Sequence, residues 1–221
     1  CEQTEGCRAM LNQVKSSAAI ADTLRADICL NRDIADGMLH EVALAQRFGV
    51  SRTPIRQALQ RLAYERMIAV KSGVGSVVTP LEESMRADDI CAAAAIIEAA
   101  AKCAPSSPAP PTQFMSLAGL LGMMDISQLD QAEAFFEIRA QLLNALSEMI
   151  ENPILSDAFR AAYWRLISWS LRDFETQPQA QIAHLREVLQ TAARAMKSGT
   201  LAACFEQIAE IESRLAEPSQ T

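Results

Sequence analysis

Apolar residues recur every three or four positions through most of this chain, a spacing that predicts helices. From about Ser16, the residues Ala19, Ile20, Leu24 and Ile28 mark one helical face, which stops at the turn-forming run NRDIADG. Glu41 to Phe48 predicts a short second helix with Val42, Leu44 and Ala45 inward. Gly49 can take the left-handed conformation that ends a helix, and Ser51 can cap the next one. From Ser51 to about Glu65, the residues Ile55, Leu59 and Leu62 form one apolar stripe, and Arg52, Thr53, Arg56, Gln57 and Gln60 fall on the other side. Pro54 is tolerated there because a first-turn amide has no partner within the helix. The segment MIAVKSGVGSVVTP then predicts a small hairpin that turns at Gly73 to Gly75 and ends at Pro80. Three helices and a hairpin in that order make a winged helix-turn-helix.

Beyond Pro80 the periodicity is helical throughout, over about 82–104, 112–124, 127–151, 153–173, 179–198 and 200–216. The Pro/Ser-rich stretch APSSPAPPTQ (104–113) is too short for a domain linker and reads as a loop on a bundle surface. Residues 1–13 carry no strong periodicity and read as a tail or a frayed extension of the first helix. No internal repeat is found. The fold class is therefore mainly α, with a winged helix-turn-helix domain at 9–80 and an all-α helical bundle at 81–217. A chain of 221 residues has room for two such domains.

Half of the residues are apolar and only 5% aromatic, a balance that suits helices over sheets. No apolar run reaches the roughly 20 residues needed to span a bilayer, and CEQTEGCRAM lacks a signal-peptide pattern, so the expectation is a soluble cytoplasmic protein with no membrane partner. The six cysteines form no Cys-x-x-Cys pair, and Cys29, Cys91, Cys103 and Cys204 fall in apolar helical stretches, as reduced structural thiols do.

A net charge of −7 argues against nucleic acid until it is divided along the chain. Residues 1–80 hold ten Lys/Arg and eight Asp/Glu, whereas 81–221 hold ten and nineteen. Within 47–71, six basic residues (Arg47, Arg52, Arg56, Arg61, Arg66 and Lys71) face Glu65 alone. Positive charge that is local is what a phosphate backbone feels within a Debye length of about 8 Å. A charged helical face is by default merely solvated. Here it begins a capped helix after a Gly turn and before a hairpin, where a major-groove reader places its base-contacting residues.

The stretch LHEVALAQRFGVSRTPIRQALQRLAYERMIAVKSGVGSVV resembles the DNA-binding domain of GntR-type bacterial transcription regulators, and GVSRTPIRQAL is close to a signature of that family. The resemblance implies that Ser51, Arg52, Thr53, Arg56 and Gln57 meet the operator, and that Gly73 at the wing tip approaches the minor groove. The chain departs from the family at Arg66, where glycine is usual. A left-handed arginine there costs roughly 1 kcal/mol relative to glycine.

The helical C-terminal half, with LLNALSEMIENPIL and its Asn152-Pro153 break, resembles the ligand-sensing FCD bundle of the FadR subfamily. Many relatives hold a divalent metal there through one aspartate and three histidines. The family's Asp-x-x-x-His pair falls on Arg139 and Leu143, which cannot hold a metal in that role, and the chain has only two histidines, His40 and His184. No metal and no other cofactor are expected. Arg139 can bind a carboxylate or phosphate directly, or can serve as a salt-bridge residue. Trp164 and His184 join it as candidate effector contacts, each with the alternative of an ordinary core or helical-surface role. Ala94 stands where relatives commonly carry an arginine, which removes an anion contact.

No nucleophile and base pair, phosphate loop or metal cluster can be assembled from the sequence, so an enzyme is not expected. The expectation is a ligand-responsive regulator, commonly a repressor in this family, reading a palindromic operator as a homodimer and answering to a small-molecule effector. The alternative is a constitutive DNA-binding regulator whose bundle only dimerises.

Overall fold

The computed structural model describes residues 16–32, 37–71, 75–105, 110–126 and 129–216. The chain divides into two compact units, Cys1–Pro80 and Leu81–Thr221. The fold is mostly helical, with one small antiparallel sheet in the first unit.

In the first unit, α1 (Ser17–Cys29) begins at Ser16, whose hydroxyl oxygen accepts from the Ala19 amide at 3.1 Å. Ile20, Ala21 and Leu24, on one face of α1, are fully buried. A short strand β1 (Met38–Leu39) leads into α2 (Glu41–Phe48), which ends at Gly49 with φ 63°. The recognition-helix candidate, α3 (Arg52–Tyr64), buries Ile55, Ala58, Leu59 and Leu62. Strands β2 (Ile68–Lys71) and β3 (Gly75–Val78) follow. The sheet order is β1-β3-β2, with Met38 opposite Val77 and Ile68 opposite Val78.

Four local expectations change. The hairpin gains a third strand, because Met38 and Leu39 pair with the free edge of β3. Val42 is exposed while Leu44 is buried. Two positions apart on a helix are about 200° apart, so they cannot face the same core. Ser51 takes the extended N-cap conformation, but its side chain makes no capping bond. Its N3 partner is Pro54, which has no amide hydrogen to donate. Cys91 and Cys103 are exposed and Cys29 is half-buried, whereas Cys204 is buried and its thiol is pushed up to about 12 by burial.

The second unit opens with a 3-10 turn (Glu83–Met85) and α4 (Arg86–Cys103), followed by α5 (Pro111–Ile126), α6 (Ala132–Ser147), α7 (Pro153–Phe174), α8 (Pro178–Ser198), α9 (Leu201–Ser213) and a 3-10 turn (Arg214–Ala216). Helix α6 is shorter than the periodicity predicts. It starts after Gln131, and at its far end Met149 and Ile150 bond back three residues, as tightened helix ends do. Asn152 then caps α7, accepting from Ile154 and Leu155. Buried Ala93, Ala94, Ala100 and Ala101 let α4 lie close to α7 and α9. Aromatic side chains fill the centre: Phe135 lies 4.6 Å from Phe174, and Phe159 lies 5.4 Å from Tyr163, measured between ring centroids. Among the described residues no helix is long and apolar enough to cross a membrane.

Candidate nucleic-acid interface and a buried polar centre

Helix α3 carries its polar residues on one side because its apolar ones are spent on the core. Ser51, Arg52, Thr53, Arg56, Gln57 and Gln60 are all exposed, opposite buried Ile55, Ala58, Leu59 and Leu62. Gly73 lies outside the described residues. The helix is held at its far end by a buried two-pronged ion pair, in which Arg25 of α1 donates from Nε and Nη2 to Glu65 at 2.7 and 2.8 Å. Arg47 of α2 donates to Asp27 of α1 at 2.7 Å. These contacts tie α1 to α2 and to the end of α3.

The fold also corrects the charge count of the 47–71 window. Arg47 is paired with Asp27, and Arg56 Nε donates to both oxygens of Glu41 at 3.0 and 2.9 Å. Both acids lie outside the window, so its net charge overstates the field at the helix surface. The Arg56 pair is exposed, and a pair of that kind is worth at most about 1 kcal/mol, well within reach of competition by phosphate. Arg66 has φ 60°, in the left-handed region. Its amide bonds the Ala63 carbonyl and the Met67 amide bonds Leu62, the double closure in which glycine is favoured.

In the second unit Arg139 and His184 come together on Glu212, a residue the sequence analysis does not single out. Arg139 on α6 is fully buried, and its Nη2 donates to Glu212 Oε2 at 3.4 Å. Tyr163 on α7 donates its hydroxyl to Glu212 Oε1 at 2.9 Å, and His184 Nε2 on α8 lies 3.1 Å from Oε2. The Arg139 guanidinium also sits 5.5 Å over the Tyr163 ring. Four helices thus converge on one carboxylate. Burial pushes the Glu212 carboxyl up, but Arg139, then His184 and Tyr163, outweigh it and hold it at about 2. Burial also pushes Arg139 down, and Glu212 outweighs that too, so Arg139 stays protonated. Tyr163 is driven well above its ordinary range by burial and then by Glu212. Trp164, next in sequence, packs instead on Phe136 at 6.1 Å.

The residues of this centre do not fit a divalent metal. A permanently charged guanidinium lies against the carboxylate that a cation would need, and among the described residues no group of three or more His, Cys, Asp or Glu side chains is arranged to hold an ion.

Comparison with known proteins bears on the first unit by sequence and on both by fold. Residues 16–78 match the family described as bacterial regulatory proteins, gntR family. No curated protein sequence matches the chain. Among solved structures, E. coli McbR/YncC is 20% identical, with 90% of this chain and 93% of that one covered and a TM-score of 0.55. A structure described as the transcriptional regulator GntR from Rhodococcus sp. RHA1 is 15% identical, with 90% and 96% covered and a TM-score of 0.57. At such identities the likeness is one of fold.

Proposed function

We propose that this chain, whose residues 16–78 form a GntR-family helix-turn-helix domain, is a bacterial ligand-responsive transcription regulator. It acts in the cytoplasm as a homodimeric repressor on a palindromic operator, and it is not an enzyme. Ser51, Arg52, Thr53, Arg56 and Gln57 meet the major groove, and Gly73 meets the adjacent minor groove. Two copies read two half-sites about one helical turn apart. The C-terminal unit dimerises and carries the effector site, with Arg139, Trp164 and His184 as its contacts. An effector changes operator affinity only by as much as it prefers one arrangement of the dimer.

The observation that carries this reading is the continuous exposed polar face of α3, with Arg52 and Arg56 beside its N-terminus. Its test is binding to a duplex selected from a random pool, measured against an unrelated duplex. Arg52→Ala and Arg56→Ala are each expected to lose about 1 to 3 kcal/mol of specific binding, with far less change on the unrelated duplex. Wild-type selectivity in both variants overturns the assigned face.

A second reading, a constitutive regulator that senses nothing, is favoured by the Arg139–Glu212 pair, because a guanidinium already facing a carboxylate has less need of a ligand. A thermal-shift screen of small acids, sugars and acyl compounds separates the two. A compound that raises the melting temperature and changes operator affinity supports sensing, and uniform indifference supports the constitutive protein.

A further inference from the structure

Glu41 and Arg56 stand 15 residues apart, yet they join the head of α2 to the second turn of α3. Arg56 Nε donates to Glu41 Oε1 at 3.0 Å and to Oε2 at 2.9 Å. Both bonds leave from Nε, and among the described residues Nη1 and Nη2 donate to nothing. The guanidinium is thus held at Nε while its terminal fork is free. Glu41 is itself anchored. It is the first residue of α2, where the positive end of the helix favours a carboxylate. In the chain it stands between Leu39, paired with Ser76 in the sheet, and Leu44, and both leucines are buried. The acceptor therefore belongs to the frame of the domain, and Arg56 is the long side chain that it steadies.

An exposed arginine gives up rotamer freedom when it binds a base, and a side chain already held at one atom gives up less. The bond also decides what the free fork suits. Arg56 and Glu41 together carry no net charge, so the unit gains little from a phosphate, whose approach the carboxylate opposes. Two parallel N–H donors are still on offer. They match the O6 and N7 acceptors of guanine, whereas adenine sets an amino donor where the second acceptor is needed. Arg52, one turn earlier on the same exposed face, has no hydrogen bond or ion pair among the described residues and keeps its whole charge.

We propose that Glu41 is a positioning residue for base readout: it stays bonded to Arg56 Nε in the operator complex and turns the Nη1 and Nη2 fork onto the O6 and N7 of one guanine in each half-site. This rests on the assignment of α3 to the major groove and deepens it by naming the base that Arg56 reads. A carboxylate at the DNA face also weakens attraction to any duplex. Glu41 therefore sharpens selectivity in two ways, aiming one arginine at a base and withholding its charge from the backbone.

The test uses the purified full chain and the duplex it selects from a random pool, with each base pair replaced in turn, beside an unrelated duplex. For wild type, replacing the guanine that Arg56 reads, or removing its N7 with 7-deazaguanine, should weaken binding about 10- to 100-fold. Arg56→Ala should erase that penalty at this position alone. Glu41→Ala should reduce it about fivefold at the same position and leave the penalties elsewhere as they are. The same variant should bind the unrelated duplex about threefold more tightly, with a salt dependence steeper by about 0.9 for each head. Glu41→Gln, which keeps an acceptor for Nε without the charge, should keep most of the penalty and still bind the unrelated duplex more tightly. The inference is overturned if Glu41→Ala retains the full penalty at the Arg56 position, as it would if phosphate displaced Glu41. It is overturned equally if Glu41→Ala weakens binding to every duplex alike, as the loss of a merely structural contact would. Should Glu41→Ala fail to fold, Glu41→Gln serves: tighter binding to the unrelated duplex supports the inference, and unchanged binding there overturns it. Selectivity kept by both Arg52→Ala and Arg56→Ala strikes the functional reading, whereas selectivity lost in Arg56→Ala but kept in Glu41→Ala strikes this inference alone.

Discussion

Replacing Arg139 by methionine keeps most of the side-chain volume and removes the charge that Glu212 faces. At 3.4 Å and an effective dielectric constant near 20, the gross attraction is roughly 5 kcal/mol. A second route starts from the Glu212 carboxyl, held at about 2 against an ordinary 4.5, a difference worth on the order of 3 kcal/mol. The two agree in scale once desolvation is set against the attraction. Arg139→Met should then destabilise the folded chain by about 3 to 5 kcal/mol, since it strands a buried carboxylate. Glu212→Gln should cost a similar amount, and the double variant less than the sum by about 1 to 3 kcal/mol. Urea unfolding at neutral pH, fitted for the C-terminal unit, measures all four corners of the cycle. The pH dependence follows from the sign of the shift. Glu212 has a folded value below its unfolded one, so its contribution is full above about 4.5 and is lost as the pH falls towards 2. The gap between wild type and Glu212→Gln should accordingly be constant from pH 7 to 5 and narrow below. Additive single variants, or a gap that ignores pH, would refute this account of the centre.

Two further substitutions test local geometry. Arg66→Gly should raise the stability of the N-terminal unit by about 1 kcal/mol, because φ 60° suits glycine and the two closing hydrogen bonds use only backbone; a fall in melting temperature would contradict that. Asn152→Ala should cost about 1 kcal/mol by leaving the Ile154 and Leu155 amides without their acceptor, and calorimetry that finds no loss would show the cap to be redundant.

What the sequence reveals depends on how far apart the partners lie in it. The stripe Ile55, Leu59, Leu62 and the opposite row Arg52, Arg56 are set by helical periodicity within one short segment, and both stand in the structure as the spacing predicts. The third strand was not legible, because Met38–Leu39 is two residues long and becomes a strand only against an edge that forms some forty residues later. Charge pairing was hidden for the same reason. Glu41 and Asp27 neutralise Arg56 and Arg47 from outside any window centred on the recognition helix.

Glu212 is the extreme case. Its place in an apolar stripe, beside Ile208, Ala209 and Ile211, was a signal in principle, since an acid on a helix face that is otherwise buried demands a partner. Arg139 made the reciprocal demand from α6, 73 residues away. Each alone admitted several partners, including a ligand. Only the convergence of α6, α7, α8 and α9 makes them answer each other, through an ion pair in which Nη1 and Nη2 of Arg139 each lie 3.4 Å from a Glu212 oxygen.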